Sequence, residues 1–184
     1  MQNKLKNKIE KVPLFLFVSK SMLLFVVILF STTISGQSVS TPQIMEVNTY
    51  ISSLKTMEQN TPSNFSNAKN VYNLVNDVQP SVYYYLGVVK TFGEKPTCLF
   101  TDFNSLQSID NPAILKNNIE IVKLKIDDSN DLNSKIDLLL FSDYKNLKYI
   151  YIVSNLAINS QTIANMISNY NEKYSIFYSI DKGE

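Results

Sequence analysis

The chain has 184 residues, 45% of them hydrophobic and 18% charged, and a formal net charge of +1. That allows a domain of ordinary size with a buried core, and it excludes a chain disordered by composition. With 17 Lys, no Arg, no His and one Cys, the chain has no disulfide framework, no Cys/His zinc site and no catalysis through imidazole.

The first segment reads as an export signal. Lys4, Lys6, Lys8 and Lys11 make a positive start, residues 13–18 are apolar, Ser19 and Lys20 interrupt, and residues 22–30 form a second apolar run. That run suits the centre of a signal peptide and falls well short of the ~20 residues a spanning helix needs. Small residues fill 31–36, so cleavage is expected between Gly36 and Gln37. A second reading keeps residues 13–34 as an uncleaved anchor with the lysines held in the cytoplasm. Both place residues 37–184 outside the cytoplasm: secreted, periplasmic or at the cell surface. Membrane contact is expected only in the anchored case. Without residues 1–36 the chain keeps 12 Lys against 15 acidic residues, a net charge of about −3. A mildly acidic domain without Arg argues against nucleic acid as a partner.

Residues 37–94 are expected to form a helical N-terminal segment. Thr41-Pro42 resembles a cap followed by a first-turn proline, and Ile44, Val47, Ile51 and Leu54 share one helical face over 41–59. A loop follows at 60–65. Ser66 is placed to cap a second helix with Ala68, Val71, Leu74, Val75 and Val78 on its apolar side. Residues 82–92 satisfy two periods. Their aromatic and β-branched content favours strand, while Val82, Tyr85, Leu86, Val89 and Phe92 fall at helical spacing. The repeat described next tips the expectation to helix. Residues 93–96 form a turn.

From residue 95 onward the chain advances in steps of 26. Cys98, Leu124, Ile150 and Ile176 are apolar at that step, as are Phe100, Ile126, Ile152 and Tyr178. These sets lie in β-rich runs at 97–101, 119–126, 148–154 and 174–180. Helix-like stretches follow near 110–118, 135–145 and 161–171. Self-similarity at this period points to stacked strand-and-helix units. Within them, residues 147–155 read Leu-x-x-Ile-x-Ile-x-x-Asn, and residues 121–129 match all but the Asn. Over residues 95–184 the chain therefore resembles the leucine-rich repeat family. The resemblance implies a short α/β solenoid with parallel strands, a turn asparagine at Asn155, and a protein or peptide partner on the sheet face. The alternative fold is a compact α/β sandwich.

Two lysines on one side of strand 119–126 indicate a wet sheet face. By alternation that face is expected to carry Leu99, Lys123, Lys125, Tyr149, Tyr151 and Phe177 as binding residues. The competing reading buries Tyr149, Tyr151 and Phe177 under the N-terminal helices. Cys98, in an apolar run, is expected to be a buried hydrophobe. Asp127, Ser129 and Asp131 have calcium-loop spacing, but Leu132 and Leu138 stand where that loop needs Gly and Glu. Asp131 is expected to cap the next helix instead. No cofactor and no metal are expected. The residues point to an exported non-enzymatic interaction module. The alternative is an α/β domain with a small-ligand pocket or a carboxylate-based hydrolase built on Asp102, Asp127, Asp128 and Asp181. The chain stops straight after a strand, so edge-strand self-association is a further expectation.

Overall fold

The computed structural model describes residues 42–59 and 66–181. The expected export segment, with Gly36 and Gln37, lies outside the described residues. In chain order the elements are β1 (Met45–Glu46), α1 (Val47–Gln59), α2 (Asn67–Asn76), β2 (Ser81–Tyr85), β3 (Val88–Phe92), β4 (Cys98–Asp102) and α3 (Phe103–Leu106). There follow β5 (Ile121–Ile126), β6 (Ile136–Asp137), β7 (Tyr149–Ser154), α4 (Ser160–Met166), β8 (Ile167–Ser168) and β9 (Ser175–Ile180). Short 3-10 turns sit at Lys116–Asn118, Ser129–Asn133 and Leu138–Phe141.

The fold is mixed α/β around a seven-stranded sheet of order β1-β9-β7-β5-β4-β2-β3, parallel throughout except for β2 against β3. A second, two-stranded sheet joins β6 to β8. Alternation along each strand divides the side chains between two faces. One face supplies Val82, Tyr84, Leu99, Val122, Leu124, Ile150, Ile152 and Ile176 to the larger core. The segments between strands close this core with Ile109, Ile119, Ile136, Phe141, Tyr144, Ile163 and Met166. The opposite face meets α1 and α2 in a smaller core of Val47, Ile51, Val71, Leu74, Cys98, Ile121, Tyr149, Tyr151 and Phe177.

The β-rich runs read from the sequence become β4, β5, β7 and β9 to within two residues. The segments between them differ from expectation. Residues 110–118 hold only a 3-10 turn at Lys116–Asn118, residues 135–145 hold β6 and a 3-10 turn at Leu138–Phe141, and of the three expected stretches only the last contains an α-helix, Ser160–Met166. Tight turns capped by side chains build much of these connections. Asp102 accepts from the Ser105 amide, Asp128 from that of Asn130, Asp137 from that of Leu139 and Asn159 from that of Thr162.

The N-terminal helices also begin differently. Ser66 does cap α2, its hydroxyl accepting from the Lys69 amide at 3.1 Å. But α1 starts at Val47, not behind Thr41, because Met45 and Glu46 pair with Phe177 and Tyr178 of β9. The Glu46 carboxylate then takes the capping role, accepting from the amides of Asn48 and Thr49 at 2.9 and 3.2 Å. That pairing covers part of the outer edge of β9, the edge expected to seek another molecule.

Residues 82–92 are a hairpin, not a helix. Leu86 (φ 49°) and Gly87 (φ 80°) form its two-residue turn, both in the left-handed region that matches the twist of paired strands. Gly93, at φ 79°, turns the chain toward β4, and a side chain there would come within 3.0 Å of the Pro80 Cβ.

Candidate functional site

Register aligns one row of side chains across six strands on the face opposite the larger core. It runs Lys90, Tyr83, Phe100, Lys123, Tyr151 and Phe177, from β3 at one edge to β9 near the other. The two halves of this row have different fates.

Over β7 and β9 the row is roofed. The Phe177 ring stacks on Tyr50 of α1 with centroids 4.9 Å apart. The Tyr151 hydroxyl bonds the Ser179 hydroxyl at 2.7 Å. Tyr149, Tyr151 and Phe177 all belong to the smaller core. They are packing residues, which corrects their assignment to an open binding face. Burial pushes the Tyr149 and Tyr151 hydroxyls above the ordinary phenol range. Leu99 is corrected for another reason. It lies on the opposite face, fully buried in the larger core beside Val122 and Val82.

Lys123 stands at the boundary. Its stem is partly buried and its ammonium donates to the Val75 carbonyl near the end of α2 at 2.9 Å, while lying 4.9 Å from the centre of the Phe100 ring. Desolvation lowers its pKa, and the nearby Cys98 thiol opposes that weakly. Lys125, one row further along the strands, is exposed and pairs with Asp127 at 2.6 Å. The two lysines that signalled a wet face are therefore unequal: α2 half covers Lys123, and Lys125 is open.

Over β3 and the Tyr83–Tyr85 part of β2 the face is largely uncovered, while on β4 the helix α2 covers Cys98 and Phe100 is half-buried. Tyr83 and Phe100 stack with centroids 4.7 Å apart and planes 4° from parallel, and Phe92 meets Tyr83 edge-on at 5.5 Å. Val78 and Phe92 are largely exposed. They line a groove of about 590 Å³ with Tyr83, Tyr85 and Lys90. A smaller hollow of about 150 Å³ continues across the sheet between Tyr85, Phe100, Lys123, Lys125 and Val153. Tyr83 and Phe92 are exposed and Phe100 is half-buried beneath Tyr83's stack; partly open stacked rings flanked by lysines have the chemistry of a recognition surface.

Tyr83, Phe92 and Lys90 were missed by the sequence reading, since a helix over 82–92 puts Phe92 on the side opposite Tyr83 and Lys90. The signal was present in the alternation of 81–85 and in Gly87, six residues ahead of Gly93.

Three of the carboxylates at the ends of the strands are committed elsewhere. Asp102 and Asp128 cap turns, and Asp127 holds Lys125. The capping role expected of Asp131 falls to Asp128. Asp131 has its pKa raised by burial, then by Asp128 and Asp102. Cys98 is buried beneath α2 with its thiol directed at the Leu74 carbonyl, and burial pushes its pKa up, away from a reactive thiolate. Asn155 is exposed, whereas the neighbouring Ser154 is buried and donates to the Ile126 carbonyl at 2.6 Å. Among the described residues no group of three or more His, Cys, Asp or Glu side chains is placed to hold a metal ion. Nor, among them, is any helix long and apolar enough to cross a membrane. The chain matches no family model, no curated protein and no solved structure.

Proposed function

We propose that this chain is an exported, non-enzymatic interaction module that binds a protein or peptide on the uncovered half of the sheet face. One observation carries the reading: the row from Lys90 to Phe177 is continuous in register, yet α1 and α2 bury it fully only at β7 and β9, half cover Phe100 and Lys123, and leave Tyr83 and Lys90 open. An exposed Tyr83 held by stacking on the half-buried Phe100 loses little rotamer freedom on binding and offers apolar area to bury, as the anchors of protein interfaces do. The signal-like composition of residues 1–36 supports a site of action outside the cytoplasm.

The finer architecture we infer is a short, leucine-rich-repeat-like array, with residues 98–180 as successive strand-and-turn units. Register steps of 23, 28 and 26 residues separate Leu99, Val122, Ile150 and Ile176. Two recurring devices support the reading. The Tyr144 and Tyr174 hydroxyls each reach back to a carbonyl of the preceding unit, at Ile109 and Phe141. The Thr101 and Ser154 hydroxyls each donate to the carbonyl of the adjacent strand, at Tyr84 and Ile126.

The test is selection of peptides from a random display library against the full chain, followed by counter-selection on Tyr83→Ala and Phe92→Ala. The proposal expects binders that lose at least tenfold in affinity on those variants. Binders indifferent to both, or no binders at all, contradict it.

A further inference from the structure

The open half of the row has a cation at each end and aromatic rings between. Lys90 has no ion-pair partner among the described residues. Lys123 has only a carbonyl and a ring for its ammonium, with no carboxylate among the described residues within pairing distance. Lys125 differs, being already neutralised by Asp127. A partly buried ammonium without a counter-charge is costly, and an incoming anion relieves that cost.

Geometry sets the spacing. Lys90 and Lys123 are separated by three strand intervals, about 14 Å at the usual spacing. An extended peptide rises about 3.4 Å per residue, so about four residues cross this distance. In an extended segment residues i, i+2 and i+4 point the same way. The first and last of these fall over the two lysines, and the middle one falls over Tyr83 and Phe100.

We infer that the partner presents an extended segment of the pattern acid-x-apolar-x-acid, lying across strands β3, β2, β4 and β5 with its carboxylates on Lys90 and Lys123. The middle side chain packs on the Tyr83 and Phe100 rings beside the groove at Phe92. This rests on the proposed peptide-binding reading and adds the partner's chemistry and direction. Neutral apolar peptides would fill the groove but leave both ammonium groups without anions.

The test is fluorescence anisotropy of the full chain with a labelled peptide Gly-Ser-Glu-Ser-Phe-Ser-Glu-Ser-Gly. Its controls are the same peptide with both Glu replaced by Gln, and one with the two Glu adjacent. The expected result is tightest binding by the first peptide. Affinity should fall at least tenfold for the Gln control and on Lys90→Gln or Lys123→Met, and be unchanged on Lys145→Gln. Binding should weaken as salt rises. Lys90 is exposed, so its variant reports on charge even if Lys123→Met perturbs packing. Equal binding of the Gln peptide, indifference to Lys90→Gln, or no binding of the first peptide overturns the inference. If Tyr83→Ala abolishes binding while Lys90→Gln does not, the peptide-binding reading stands and only the acidic pattern fails.

Discussion

Lys123 and Phe100 are register partners on adjacent parallel strands, and the Lys123 ammonium lies 4.9 Å from the centre of the Phe100 ring while donating to the Val75 carbonyl. The contact marks where the helical roof ends and the open face begins. Its cost and its use have the same origin, because a cation drawn partly out of water favours both the ring and an incoming anion.

That burial has a pH signature. The native pKa of Lys123 is lowered by desolvation. Across the interval between its native and unfolded values the unfolded chain binds the extra proton, so this group makes stability rise with pH there. Below that interval the full cost of the buried charge is present. Lys123→Met removes the dependence. The expected outcome is a difference in stability between variant and wild type that shifts in favour of wild type as pH rises toward that of free lysine, about 10.4. Urea unfolding of both proteins across the alkaline range checks it, and a constant difference contradicts it.

Ser154 and Asn155 make a sharper pair. The Ser154 hydroxyl is buried, donates to Ile126 and accepts from the Leu156 amide at 3.1 Å, whereas Asn155 is exposed. Ser154→Ala removes the hydroxyl that serves both the Ile126 carbonyl and the part-buried Leu156 amide and is expected to cost about 1–3 kcal/mol. Asn155→Ala is expected to stay within about 0.5 kcal/mol. Denaturant midpoints of the two variants compare them directly.

Leu86 holds a left-handed backbone at φ 49° with its side chain largely in water. A leucine gains nothing there to offset the strain of that conformation. Asn followed by Gly is the favoured pair for such a turn. Leu86→Asn should therefore stabilise the chain by roughly 1 kcal/mol, seen as a higher thermal midpoint with an unchanged circular dichroism spectrum.

Phe177 and Phe92 lie on the same face of the sheet, one roofed and one exposed. Phe177→Ala opens a cavity under Tyr50 and is expected to cost about 3–5 kcal/mol. Phe92→Ala removes one edge contact with Tyr83 and is expected to cost less than about 1 kcal/mol. Chemical denaturation distinguishes them, and similar losses would mean that the two halves of the face are equally buried.

The contrast also explains what could be read from the residues alone. The strand runs were legible because alternation in 119–126 and 148–154 survives any context. The step of 26 was legible as an average, but the first register step is 23. Carrying 26 back from Leu124 reaches Cys98, whose register partner is Ile121, and an odd slip moves a side chain to the other face. Leu99 was misplaced for that reason. The second step, 28, differs from 26 by an even number, so Lys123 and Tyr151 kept their true face. The hairpin at 82–92 was hidden because Leu86 occupies a turn position that favours Asn. The roof over Tyr151 and Phe177 was one of two readings the residues allowed, burial under the N-terminal helices against an open face, and the residues did not choose between them because the apolar stripes of α1 and α2 do not specify which strands they cover.

The most direct measurement is chemical-shift mapping of a library-selected peptide titrated into the isotope-labelled chain. The account expects the largest shifts at Tyr83, Phe92, Phe100 and Lys123, with α1 and the larger core unchanged. Shifts centred on α1, on the 3-10 turns or on the β9 edge, with the Tyr83 and Phe100 signals unmoved, would contradict it.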